Sequence, residues 1–198
     1  PHDSTSAPAP APDYLHDLDR PIDGLRLGVP RQARSKRNHP AVAAAFEEAV
    51  ETYRERGATI VDVELPHLEY GVAAYYIVNP AEASSNLARV DGIRYGRRAT
   101  IEKHESLETL YARSRAEGFG AEVQRRIMLG THALSSGYYD AYYLTALKTR
   151  RLIKRDFDEA FDASPGKPGV HAILMPSTTG PAFKVGEKAS DPLALYLE

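Results

Sequence analysis

Gly24-Leu25-Arg26-Leu27-Gly28-Val29-Pro30, then Pro40-Ala41-Val42-Ala43-Ala44-Ala45-Phe46-Glu47-Glu48-Ala49-Val50-Glu51-Thr52-Tyr53, then Ala58-Thr59-Ile60-Val61-Asp62-Val63-Glu64-Leu65 decide the fold class of this chain. The first run sets Leu25, Leu27 and Val29 on alternate positions and closes on a proline, which is the pattern of a strand. In the second, Pro40 opens a helix, and Val42, Phe46, Ala49, Val50 and Tyr53 recur at helical spacing. Glu47, Glu48 and Glu51 fall elsewhere, and Gly57 supplies the stop. The third run, with Ile60, Val61 and Val63, reads as a strand ended by Pro66. Strand, helix and strand in that order predict a β-α-β unit with a parallel pair, hence an α/β fold.

Outward from this unit the pattern changes. Residues 7–12 alternate Ala and Pro, a composition that favours extended backbone on the surface. Tyr70 to Arg89 reads as helix-rich, with Pro80 marking a break or the start of a second helix. Leu107 to Glu117 and Ala121 to Leu134 read as helices separated by Gly118-Phe119-Gly120. From Tyr138 to Phe161 a long helix carries Tyr139, Tyr142, Tyr143, Ala146, Ile153, Phe157 and Phe161 in one stripe, which predicts a core-facing side. Ser164 to Gly169 reads as a loop, Val170 to Met175 as a short buried strand and Pro176 to Pro181 as a further loop.

Composition sets bounds. The 198 residues, 42% of them hydrophobic, suffice for one sizeable core, so one domain or part of one is expected. A formal net charge of -2 gives no long-range attraction to nucleic acid or anionic membrane. With no cysteine there is no disulfide, zinc-thiolate site or thiol nucleophile, which agrees with a cytoplasmic origin. The sequence shows neither a run long enough to span a membrane nor a secretory signal.

Two blocks carry more. Glu82-Ala83-Ser84-Ser85-Asn86-Leu87-Ala88-Arg89-Val90-Asp91-Gly92-Ile93-Arg94-Tyr95-Gly96 is dense in Ser, Asn, Arg, Asp and Gly. The second runs from Gly118-Phe119-Gly120 through Glu122-Val123, Arg125-Arg126-Ile127-Met128-Leu129-Gly130-Thr131 and Ser135-Ser136-Gly137-Tyr138-Tyr139-Asp140-Ala141-Tyr142-Tyr143. In order and near-family spacing these blocks resemble the A subunits of glutamyl-tRNA(Gln) amidotransferases, within the amidase signature family. The resemblance implies helices packed on an incomplete mixed β-sheet. It also implies a parent that hydrolyses glutamine to supply ammonia for converting Glu-tRNA(Gln) to Gln-tRNA(Gln), with subunits B and C as partners. ATP and magnesium would be used by one of those partners, and the chain itself would hold no cofactor.

In that family a Lys and two Ser form the catalytic triad in a Gly- and Ser-rich stretch. Pro1-His2-Asp3-Ser4-Thr5-Ser6 is similar to the segment after it, and Asp191-Pro192-Leu193 to Tyr196 resembles a segment well before the family's end. Residues 1–198 are therefore expected to be the central to C-terminal part of a single amidase domain, an internal fragment with no catalytic residue of its own and inactive alone. The alternatives are another amidase-signature hydrolase acting on a different amide, and a truncated, non-catalytic interaction module.

Two residues are the candidate substrate contacts, both by resemblance. Tyr75 falls where the family places a tyrosine beside bound glutamine, whereas its spacing, like that of Tyr76 and Tyr138 to Tyr143, predicts core packing. Arg126 falls where the family holds the α-carboxylate of glutamine, a task suited to the bidentate fork of a guanidinium. Neighbours on a helix point about 100° apart, so of Arg125 and Arg126 one can face inward while the other stays solvated. The plain alternative is an arginine paired with a nearby carboxylate. The acidic residue that binds the substrate ammonium in the family falls just past Glu198, and Asp191 aligns elsewhere.

Ser84-Ser85, Ser135-Ser136 and Ser177-Thr178-Thr179 lack the Gly-rich frame of a nucleophile and predict caps, turns and packing. Ser164-Pro165-Gly166-Lys167 matches S-x-x-K by chance, in a turn-rich loop. The seven His show no metal-ligand spacing, and no phosphate-binding glycine loop occurs. Arg31, Arg34, Lys36 and Arg37 form a basic run whose bland reading is a solvated loop and whose sharper one is contact with RNA or an acidic subunit surface, though it lacks interleaved aromatics on which bases could stack.

Overall fold

The computed structural model describes residues 6–187, so the segments compared above at residues 1–5 and 191–198, Asp191 and Glu198 included, lie outside the described residues. Three strands, β1 (Arg26–Pro30), β2 (Thr59–Val63) and β3 (Ala172–Ile173), form a sheet in the order β2-β1-β3. Both pairings are parallel, with Leu27 opposite Ile60 on one side and Ala172 on the other. The α/β class holds, and the described part of the sheet is parallel throughout rather than mixed. The predicted strand from Val170 to Met175 shrinks to two residues because only Leu27 and Gly28 offer β3 a partner.

As the central strand, β1 is buried along four of its five residues, not on alternate ones. Gly28 lets β3 and Val170 pack close, since a Cβ would lie 2.9 Å from Ile173 Cδ1 and 3.1 Å from Val170 Cγ2 and would make those side chains shift. On one face Val29, Ala33, Phe46 and Val50 form a core with Ile60 and Leu174, which seats helix α1 (Pro40–Glu55). His39 caps α1 through Nδ1, which accepts from the Ala41 N–H. Gly57 stops it at φ +92°, where a side chain would also run into Asp23.

On the other face Val63, Leu65, Ala160 and Val170 pack with Val61, Phe157 and Ile173, seating helix α5 (Thr145–Phe161). Buried Asp156 of α5 accepts from the His67 backbone N–H and from its ring at 2.8 Å each, tying α5 to the segment after β2. Between α1 and α5 in the chain come α2 (Gly71–Leu87), α3 (Leu107–Gly118) and α4 (Ala121–Ala133). Ala74, Val78 and Ala146 join α2 to α5.

Two expectations are corrected. Pro80 neither breaks α2 nor starts a new helix, and α2 runs through it as one element. The tyrosine stripe is not a continuous core face, because Tyr139–Leu144 is π-helical and α5 begins only at Thr145. The wider π turn throws the three- and four-residue spacing out of phase. Tyr139 and Tyr142 consequently stand 40% and 49% exposed, whereas Ala146 is buried.

Candidate functional site

The close crossing of α2 and α4 builds the site. A Cβ on Gly130 would sit 1.9 Å from the Pro80 carbonyl oxygen and 2.8 Å from Ser84 Oγ, so only glycine lets α4 lie directly on the backbone of α2. Pro80 fits the same crossing. It lacks the N–H that would bond back within α2, a loss of about 3 kcal/mol in an isolated helix that the packing here must offset.

This crossing brings together the two residues singled out in the sequence. Tyr75 of α2 and Arg126 of α4 meet, with Arg126 Nη1 donating to the Tyr75 hydroxyl at 3.2 Å. Arg126 is the more inward of the two arginines, its side chain 26% exposed against 57% for Arg125. It also makes the plain contact anticipated for it, donating from Nε to Glu122 Oε1 at 2.9 Å, while Arg125 Nη1 donates to Glu122 Oε2 at 2.8 Å. Tyr75 is half-exposed rather than core, a correction to the reading from spacing alone. Its ring stands edge-on to Tyr76 at 5.7 Å, and Asn79 Nδ2 approaches its hydroxyl at 3.4 Å.

Beside Tyr75 a hollow of about 250 Å³ opens between α2 and α5, its apolar floor made by Ala74, Val78 and Ile153. Asn79 and the Glu82–Arg150 ion pair at 3.4 Å form its polar rim. Tyr75 lines this hollow and Arg126 does not, so the phenol links the guanidinium to the cavity. The arrangement offers a fork of donors, a phenol and a partly apolar pocket, which suits holding a small amino-acid-like anion.

Beyond Glu82, which borders the hollow, the signature block to Gly96 serves architecture. Arg115 of α3 donates to the Leu87 and Val90 carbonyls at 2.8 and 3.0 Å, closing the C-terminal end of α2. The Asp91 carboxylate accepts from the backbone N–H groups of Ile93 and Arg94 at 2.9 and 3.0 Å, and these bonds hold its pKa below the ordinary value. Gly92 takes φ +78°, and a side chain there would meet Ser114 Oγ at 2.5 Å.

The serines fall as expected. Ser84 bonds the Ala81 carbonyl inside α2, Ser135 bonds the His132 carbonyl just past the end of α4, and Thr178 bonds Gly180. Lys167 closes a turn on Ser164. In the basic run Arg31 pairs with Glu64 and Arg34 with Glu47 and Asp62, and the Glu47 bond raises the Arg34 pKa further. Half of that run is thus already neutralised by protein carboxylates. Among the described residues no three His, Cys, Asp or Glu side chains group as a metal site would need, and no helix is long and apolar enough to cross a membrane.

Residues 1–197 match the protein family described as Amidase. The A subunit of glutamyl-tRNA(Gln) amidotransferase from Myxococcus xanthus is 55% identical over 195 residues, a match covering 98% of this chain and 38% of that protein. Its namesake from Geobacter sulfurreducens is 54% identical over 197 residues, covering 100% of this chain and 39% of that one. The chain thus spans well under half the length of the relatives it matches. A crystal structure of the corresponding A subunit from Thermotoga maritima superposes with a TM-score of 0.60 at 35% identity, covering 91% of this chain and 32% of that one. A further crystal structure, of an amidase, shares the fold at 21% identity and a TM-score of 0.57, covering 84% of this chain and 31% of that one.

Proposed function

This chain belongs to the amidase family, and on that premise we propose that it is part of the glutamine-hydrolysing subunit of a tRNA-dependent amidotransferase. In this reading residues 1–198 are the central to C-terminal part of one amidase domain, and the Ser-Ser-Lys triad lies in another part of the same domain. The chain alone performs no catalysis. It supplies one wall of the glutamine pocket, and the longer protein works in the cytoplasm with subunits B and C to turn Glu-tRNA(Gln) into Gln-tRNA(Gln). Activation of the tRNA-borne glutamate by ATP and magnesium belongs to one of those partners, so these residues take no part in it.

The observation that carries the reading is the contact between Tyr75 and Arg126, which sit on separate helices 51 positions apart and converge at 3.2 Å beside an apolar hollow. Arg126 would grip the α-carboxylate of glutamine, and Tyr75 would bear on the same group from the cavity side. Together they would fix the distant side-chain amide over a nucleophile, so that binding energy at one end positions the reacting end at the other. Loss of a charge-assisted pair of hydrogen bonds is worth about two powers of ten in affinity. The test is steady-state glutamine hydrolysis by the full-length protein. Arg126→Ala is expected to raise KM for glutamine about a hundredfold, and Tyr75→Phe to raise it less. Unchanged KM in both variants would remove Arg126 and Tyr75 from the pocket.

A further inference from the structure

We infer that Glu122 is a positioning residue, fixing the plane of the Arg126 guanidinium so that it meets an incoming carboxylate already oriented. The inference rests on the reading of Arg126 as the group that holds the substrate carboxylate. An arginine side chain loses rotamer entropy when it is fixed, and a bidentate grip needs the guanidinium plane aligned with the carboxylate. Holding it before the substrate arrives removes that cost from the binding step.

The geometry supplies such a hold. Glu122 Oε1 accepts from Arg126 Nε at 2.9 Å, and the Tyr75 hydroxyl accepts from Nη1 at 3.2 Å, so two nitrogens of one guanidinium are fixed by two different helices. Two anchors on a rigid plane leave it little freedom to turn. Glu122 is itself oriented, because its second oxygen accepts from Arg125 at 2.8 Å, which aims Oε1 at Arg126. Glu122 lies four residues before Arg126 in the first turn of α4, where the helix dipole favours a carboxylate and where Glu four residues before a cation is the better order. Arg125 here serves its neighbour's orientation.

A different role makes the opposite prediction. Were Glu122 standing where the substrate carboxylate belongs, it would compete with glutamine, and neutralising it would tighten binding.

The experiment measures kcat and KM for L-glutamine, with a thermal melt, on the full-length protein and its Glu122→Gln, Glu122→Ala and Arg126→Ala variants. Glu122→Ala is expected to raise KM about threefold to tenfold with kcat within about twofold, and Glu122→Gln, which keeps an acceptor without charge, to fall between it and the parent. A melt that shifts while KM stays put in both Glu122 variants would overturn the inference and leave a merely structural ion pair. A fall in KM on Glu122→Gln would overturn it in favour of competition. If Arg126→Ala itself leaves KM unchanged, the reading of Arg126 fails first, and the inference about Glu122 falls with it.

Discussion

At the scale of single residues, Asp91 ties the signature block into one turn by accepting two backbone N–H bonds. Those bonds lower its pKa in the folded chain, so the stabilisation is complete above the unfolded aspartate value near pH 4 and is lost as pH falls through the lower folded value. Amide hydrogen exchange of Ile93 and Arg94, corrected for intrinsic rates, should accordingly show protection that is flat above about pH 5 and falls in acid. Protection that persists into strong acid, or that survives Asp91→Ala, would contradict this role. Asp91-Gly92 is legible in the sequence as part of a family block, but the bonds that give it meaning are not. Arg126 and Tyr75 are legible only by resemblance, since spacing alone places Tyr75 in the core. Glu122 escapes a sequence reading although its signal is present, a glutamate three and four residues before two arginines on one predicted helix.

At the scale of elements, the β-α-β unit can be read because each boundary has a chemical cause: Pro40 at the start of α1, Gly57 at its end, Pro66 beyond β2. Helices α3 and α4 are also placed within a residue or two, helped by the glycines between them, and Ser106 caps α3 by accepting from the Thr109 N–H. The sequence misleads where tertiary contact overrides local preference. Pro80 looks like a breaker until α4 is laid on it, and the π-helical turn at Tyr139–Leu144 has no periodic signal. The crossing of α2 and α4 gives a sharp prediction. Gly130→Ala must push a methyl into the Pro80 backbone, which cannot swing aside as a side chain would, and should cost about 1–3 kcal/mol in a reversible melt. Because the same crossing joins Tyr75 to Arg126, it should also raise KM for glutamine in the full-length protein. A neutral Gly130→Ala variant would mean that the two helices are not in this close contact.

At the scale of the whole molecule, the chain holds a doubly covered parallel sheet and a helical layer that carries a two-residue clamp. Met128, Leu129, Tyr138, Tyr139 and Tyr142 lie exposed on α4 and the turn after it. Such a surface agrees with a chain that spans only 38% of its Myxococcus xanthus relative, and with the proposal that the catalytic residues lie in the remainder of the domain. The most direct measurement is ammonia release from glutamine by the full-length protein and by residues 1–198 alone. Steady release is expected from the first, sharply reduced at low glutamine by Arg126→Ala, and none from the second. Release by residues 1–198 alone would contradict it, because the nucleophile would then have to lie within that stretch.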